Sequence, residues 1–253
     1  MIGAIAGDII GSVYEHDNIT ITDFPLFDPH CRFTDDTVLT VAVADAIMTG
    51  ADYGHKLREW YQLYPDRGYG GGFRKWAAFR EIRPRSSMGN GSAMRVSPVG
   101  FTFDTLEKVL EEAKKSAEPS HNDPEGIKGA QAVAAAIFLA RTGSGKAEIK
   151  KYIERTFGYN LDDPIDEIRK HYRFDVSCPR TVPQAIRAFL ESEGYEDAIR
   201  KAISIGGDSD TIACMAGGIA EAFYGEVPQE IATFVLERLD YALREVVIEF
   251  QQR

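Results

Sequence analysis

Gly206-Gly207-Asp208-Ser209-Asp210-Thr211, running directly into the apolar, small-residue stretch 212–224, reads as an acidic cluster that opens a helix. Near the other end of the chain, Thr34-Asp35-Asp36-Thr37 runs in the same way into 38–48, again with no proline. In each place a short polar residue, Thr34 or Asp208, stands where a helix takes its N-cap. A single carboxylate beside a helix N-terminus contributes roughly 0.3–1 kcal/mol, which accounts for one acid at each start but not for two pairs. If the two helix starts meet, four carboxylates converge, and they must either shift their pKa values strongly upward or share bound cations. Carboxylates with threonine hydroxyls, no cysteine and little histidine suit a hard ion such as Mg²⁺ or Mn²⁺ rather than zinc. Two ions sharing a bridging aspartate fit this set better than one. The ordinary alternative is two well-capped helices on opposite sides of the molecule.

Working outward, helical periodicity continues through the chain. The Gly/Ala-rich segment 2–13 is expected as a buried helix whose small residues let a neighbouring backbone approach. Apolar residues recur at helical spacing in Leu106-Val109-Leu110-Ala113, in Ala132-Ala135-Ala136-Leu139 and in Ala185-Ile186-Phe189-Leu190, marking core faces. Further helices are expected at 56–64, 147–157, 164–172, 196–205 and from Pro228 onward, with Pro164 and Pro228 near helix position N1. Alternating strand patterns are almost absent. The expectation is an all-α, multi-helix fold in which 126–140 and 212–224 sit centrally beneath charged helices. No Pro/Gly/Ser-rich linker divides the 253 residues, so one domain spanning 1–253 is expected.

A formal charge of −10, with no long basic cluster, argues against sequence-independent nucleic-acid binding. Cys31, Cys178 and Cys214 are widely spaced without a CxxC, which fits packing thiols in a reducing compartment. The N-terminal segment lacks the basic region of a signal peptide, and no stretch is long and apolar enough to span a bilayer. A cytoplasmic location without membrane attachment is expected.

The irregular stretches carry the remaining chemistry. Gly68-Tyr69-Gly70-Gly71-Gly72 reads as neither stable helix nor strand; it is a flexible turn, or a loop whose N–H groups approach a ligand such as phosphate. Gly89-Asn90-Gly91-Ser92-Ala93-Met94-Arg95, preceded by Ser86-Ser87, offers N–H donors, hydroxyls and an amide, with Arg95 expected in an internal salt bridge; it also reads as an ordinary turn before a helix. Glu15 falls just past the end of the first helix, where it is either solvated or swung towards a metal site. His121, in Ser120-His121-Asn122-Asp123-Pro124, precedes the Ala-rich helix, and an isolated histidine in such a turn more often serves structure than catalysis.

Taken in order, Gly7-Asp8 with Gly11 and Glu15, Phe33-Thr34-Asp35-Asp36-Thr37, Gly89 to Arg95, Ser120-His121 and Gly206 to Ala213 span nearly the whole chain. Together they resemble the ADP-ribosylglycohydrolase family, which includes the dinitrogenase reductase-activating glycohydrolases and the ADP-ribosyl-serine and ADP-ribosyl-arginine hydrolases. The segment around Glu15 is similar to the serine-specific branch, and 120–130 to the reductase-activating branch. The resemblance implies an all-α fold with a dinuclear Mg²⁺ or Mn²⁺ centre, in which Thr34, Asp35 and Asp36 serve one ion and Asp208, Asp210 and Thr211 complete the pair. Gly70, Gly71, Ser87, Gly89 and Asn90 would then hold pyrophosphate and ribose, and His121 would line the ADP-ribose pocket. Glu15 would match a mobile catalytic glutamate, with a metal-site carboxylate, Asp36, as the other candidate for proton transfer. The implied activity is metal-dependent hydrolysis at the anomeric carbon of the distal ribose, freeing ADP-ribose from an ADP-ribosylated protein or small molecule. One rival is a family member that binds ADP-ribose, or serves structurally, without turnover. Another is a haloacid-dehalogenase-type phosphatase, because Asp208-Ser209-Asp210-Thr211 fits DxDxT; that motif should end a strand in an α/β chain.

Overall fold

A computed structural model describes residues 1–79 and 84–253, and among them the chain forms fifteen helices and no strand. Helix α1 (Ile2–Gly11) is buried along its whole length. It is followed by α2 (Asp35–Thr49), α3 (Tyr53–Leu63) and α4 (Gly71–Ala78). Two short helices, α5 (Gly91–Met94) and α6 (Ser97–Thr102), lead into the longer α7 (Leu106–His121) and α8 (Pro124–Arg141). Next come α9 (Lys146–Phe157), α10 (Ile165–His171), α11 (Cys178–Glu191) and α12 (Tyr195–Ser204). The almost wholly buried α13 (Ser209–Tyr224) precedes α14 (Gln229–Arg238) and α15 (Tyr241–Gln251). As the Ala/Gly composition implied, α8 and α13 are central: α13 packs on α1, α8, α11 and α12, and α8 on α5, α6, α7, α9 and α11.

The contact that positions the site is α1 against α13. Gly3, Gly7 and Gly11 stand one helical turn apart and present backbone rather than side chain. A Cβ on Gly7 would lie 2.1 Å from the Ala213 carbonyl oxygen, and one on Gly217 would lie 2.2 Å from that of Gly3. The helices therefore touch main chain to main chain, and Gly11 is brought against Asp210. Helix α2 is tied to the same place, because Asp8 of α1 accepts from the backbone N–H groups of Thr34 and Thr37, each at 3.0 Å. Thr34 caps α2 as expected, accepting from the Asp36 N–H at 3.3 Å.

The turn into α13 is built differently from the expectation. Gly206 and Gly207 are both left-handed, with φ of 77° and 70°, a conformation that costs other residues energy. Asn18 holds this turn: it accepts from the Gly207 N–H at 2.7 Å and donates to the Gly207 carbonyl at 2.9 Å. Asp208 occupies the N-cap position, but its side chain makes no capping bond. The carboxylate is left free to point elsewhere.

Some boundaries also differ from the sequence reading. Gly71 and Gly72 begin α4 instead of extending a loop, because the helix is anchored by buried Phe73 and Trp76 and its first turn needs no side chains. Pro164 and Pro228 sit at the N-cap, one position earlier than N1. The segment after Pro228 breaks into two helices where Asp240 caps α15, accepting from the Leu243 N–H at 3.2 Å and from the Tyr64 hydroxyl at 2.8 Å.

Candidate metal and ligand site

A cleft of about 350 Å³ opens where the end of α1 and the starts of α2 and α13 meet. The structure gathers there every residue singled out from the sequence: Glu15, Thr34, Asp35, Asp36, Asp208, Asp210 and Thr211 at one end, and Gly70, Gly71, Ser87, Gly89, Asn90 and His121 along the walls. Gly68, Gly72, Gly91 and Met94 of the same two stretches line it as well, and Leu39, Phe73, Arg85 and Val176 complete the lining without having been anticipated. A larger cleft of about 710 Å³ lies elsewhere, but its acids are engaged. There Glu221 pairs with the Met1 amine at 2.6 Å, and Glu112 bonds Tyr53 at 2.9 Å and Lys108 at 3.0 Å.

The acidic end holds two overlapping triads. Oxygens of Asp8, Asp36 and Asp210 all lie within 4.8 Å of one another, as do oxygens of Glu15, Asp208 and Asp210, so Asp210 belongs to both. Among the described residues no lysine or arginine is ion-paired with any of these acids; the His16 ring lies 3.7 Å from Glu15. Asp8 is saturated with neutral donors, taking the Thr34 hydroxyl at 2.6 Å and the Thr37 hydroxyl besides the two N–H groups already described. Asn90 donates to Asp208 at 2.6 Å, and Thr211 to Asp36 Oδ2 at 3.3 Å. Asp36 Oδ1 is buried with no hydrogen-bond partner among the described residues.

Electrostatics follow from that crowding. Asp36 and Asp210 are driven well above the ordinary carboxylate range, first by desolvation and then by neighbouring acids: Asp8, Asp35 and Asp208 act on Asp36, and Asp36, Asp208 and Glu15 act on Asp210. Asp35 is raised likewise, by desolvation and then by Asp8 and Asp208. Desolvation also raises Asp8, Asp208 and Glu15, opposed by the threonine bonds to Asp8 and the Asn90 bond to Asp208. Buried negative charge without a basic partner, together with an orphaned carboxylate oxygen, fits a divalent cation. The all-oxygen donor set fits a hard one.

Asp8 was not among the expected site residues. Its signal was a lone acid inside an otherwise apolar helix, next to Gly7.

On the opposite wall, His121 is the last residue of α7 and is 5% exposed. Its Nδ1 lies 2.8 Å from the Ser120 hydroxyl. Desolvation, then the charges of Arg95 and Arg85, hold its pKa well below that of an ordinary histidine, so the ring is neutral. The expected Arg95 salt bridge does not form: the buried guanidinium donates to the Ser116 carbonyl at 2.8 Å and the Ser120 hydroxyl at 2.9 Å. Gly91 to Met94 form a helical turn rather than loop, and one antiparallel bridge joins Gly89 to Ser177. The three cysteines are free and buried, as expected of packing residues. With Asp208 opening a helix and no strand among the described residues, the phosphatase reading of Asp208-Ser209-Asp210-Thr211 is set aside.

A sequence model of the ADP-ribosylglycohydrolase family matches residues 1–252. ADP-ribosylhydrolase ARH3 of Mus musculus is 27% identical over 311 aligned positions, covering 90% of this chain and 84% of its own. ADP-ribosylarginine hydrolase Tri1 of Pseudomonas putida is 25% identical over 257 positions, covering 89% of this chain and 69% of its own. A solved structure described as an ADP-ribosylglycohydrolase-related protein complex shares the fold, with a TM-score of 0.72 at 21% identity over 99% of this chain and 96% of that one.

Proposed function

The chain belongs to the ADP-ribosylglycohydrolase family, and from that premise we propose that it hydrolyses the bond at the anomeric carbon of the distal ribose of an ADP-ribosylated protein or small molecule, releasing ADP-ribose. The observation that carries this reading is the pair of carboxylate triads joined through Asp210. In this proposal Thr34, Asp35 and Asp36 serve one divalent cation and Asp208, Asp210 and Thr211 a second, Mg²⁺ or Mn²⁺. Asp8, whose oxygens already accept four hydrogen bonds, supports Thr34 and Thr37 from behind instead of binding metal. When bound, such cations neutralise the carboxylates and polarise the ribose hydroxyls placed against them.

The chain's own groups do the rest. Glu15 belongs to the second triad yet is only partly buried, so it reaches both water and a ligand in the cleft, as a group that takes and returns protons requires. It accepts a proton from the water that adds to the anomeric carbon while the bond to the leaving atom breaks, and returns a proton to that atom. Asp36, with Oδ2 bonded by Thr211 and Oδ1 unpartnered among the described residues, would give its bare oxygen to the cation and is the second candidate for passing a proton. The arrangement differs from a two-carboxylate glycosidase, because most acids here are committed to cations. Along the wall, the N–H groups in the first turn of α4 at Gly71 have no intrahelical partners, and with Gly70, Ser87, Gly89, Asn90 and His121 they suit a diphosphate and its riboses.

Residues 1–253 act as one domain in this reading. Its free cysteines, and the absence of any described helix long and apolar enough to cross a membrane, are consistent with a cytoplasmic setting. Calorimetric titration with ADP-ribose tests the site: binding is expected in Mg²⁺ or Mn²⁺ and should weaken in EDTA. No binding under either condition would overturn the proposal.

A further inference from the structure

Arg95 is fully buried, and two of its donors, Nε and Nη1, have no partner among the described residues. A buried cation with no carboxylate beside it is costly, so its contacts repay inspection. Its Nη2 reaches the Ser120 hydroxyl at 2.9 Å, and that hydroxyl lies 2.8 Å from His121 Nδ1. Guanidinium can only donate. The Ser120 oxygen is therefore the acceptor from Arg95, and its proton needs an acceptor of its own in this buried place. Among the described residues the one within reach is His121 Nδ1. An imidazole that accepts at Nδ1 carries its proton on Nε2. His121 lines the cleft together with Gly89 and Gly91, and its Nε2 edge lies beside them: a Cβ on Gly91 would lie 3.1 Å from Nε2, and one on Gly89 would lie 3.4 Å away.

We propose that Arg95 and Ser120 are positioning residues that fix His121 in its Nε2–H tautomer, so that it offers a neutral N–H donor to an acceptor oxygen of the ligand in the cleft. A serine alone would not set the direction, since its hydroxyl can either give to Nδ1 or take from an Nδ1–H. With one lone pair taken by the donor-only arginine, the hydroxyl proton decides the direction: among the described residues His121 Nδ1 is the one acceptor it can reach. Neutrality is kept by burial and by the positive charges of Arg95 and Arg85. Glycine at 89 and 91 lets the backbone pass close to the ring, where a side chain would press on the Nε2 edge. The identity of that ligand rests on the function proposed above; the tautomer does not.

The test is a long-range proton–nitrogen NMR correlation on histidine-labelled protein, with His121→Gln identifying the His121 signals. The wild-type ring is expected to show a protonated Nε2 and a bare Nδ1. Ser120→Ala should give a mixture of tautomers and weaken ADP-ribose binding about fivefold, the loss of one neutral hydrogen bond. Ser120→Thr, which keeps the hydroxyl, should restore both. A wild-type ring protonated on Nδ1, or a tautomer unmoved by Ser120→Ala, would overturn the proposal. The wild-type spectrum needs no variant to fold. If the tautomer is as stated and ADP-ribose fails to bind, the positioning relay stands and the proposed function falls.

Discussion

Asp210→Asn removes the one charge that both carboxylate triads share, while an amide oxygen can still accept the Thr211 N–H that now bonds Oδ1 at 2.9 Å. Two unit charges at the 4.8 Å limit of the triads repel by about 3 kcal/mol at an effective dielectric of about 20. Part of that repulsion is already relieved by protonation, because Asp210 and Asp36 titrate well above the usual range. A net gain of about 1–2 kcal/mol is therefore expected for the variant in EDTA at mildly alkaline pH. For a chain of this size that is about 3–6 °C in Tm. With Mg²⁺ or Mn²⁺ at about a hundred times Kd, the wild type should gain about 2.7 kcal/mol and the variant far less, so the order of stability reverses. Thermal unfolding of both proteins with EDTA and with each cation reads this directly. A variant less stable than wild type in EDTA, or equal stabilisation of both by the cation, would refute the reasoning.

Three further outcomes follow from the same geometry. Asp35, Asp36 and Asp210 have raised folded-state pKa values, so their contribution to stability without metal is fullest below the ordinary carboxylate range and is lost as pH rises towards those values. The gain in Tm on adding Mg²⁺ should accordingly grow as pH rises above the ordinary carboxylate range, and a constant gain would contradict the assignment. Glu15→Gln should lower kcat by about a hundredfold or more with ADP-ribose binding retained; turnover at the wild-type rate would make Glu15 a rim residue only. Gly7→Ala drives a methyl into the Ala213 carbonyl, where neither backbone can yield, and should cost about 3 kcal/mol or more in urea unfolding. A loss below about 1 kcal/mol would mean that α1 and α13 can move apart.

Much of this site was legible because its residues announce themselves locally. Thr34-Asp35-Asp36 and Asp208-Ser209-Asp210 each precede an apolar run, and the four-residue spacing of Gly3, Gly7 and Gly11 marks a helix built for close contact. What escaped depends on partners distant in the chain. Asp8 holds its place because α2 starts beside α1, and Asn18 because Gly207 lies across from it; Asn18 has no local pattern, and Asp8 only that of a lone acid after Gly7 in an apolar helix. Arg95 was assigned a carboxylate partner by its charge, whereas the fold surrounds it with a carbonyl and a hydroxyl. At Gly71 and Gly72, burial of Phe73 and Trp76 overrides the poor helix propensity of glycine. The break before α15 escaped notice for a related reason: half of what holds Asp240 there is the Tyr64 hydroxyl on α3's C-terminal flank.

Release of free ADP-ribose from matched ADP-ribosyl-arginine and ADP-ribosyl-serine peptides, with Mg²⁺, Mn²⁺ or EDTA present, tests the central claim most directly. The account expects release from at least one peptide with a divalent cation and none in EDTA. Release that continues unchanged in EDTA, or no release from either peptide by a protein that also fails to bind ADP-ribose, would contradict it.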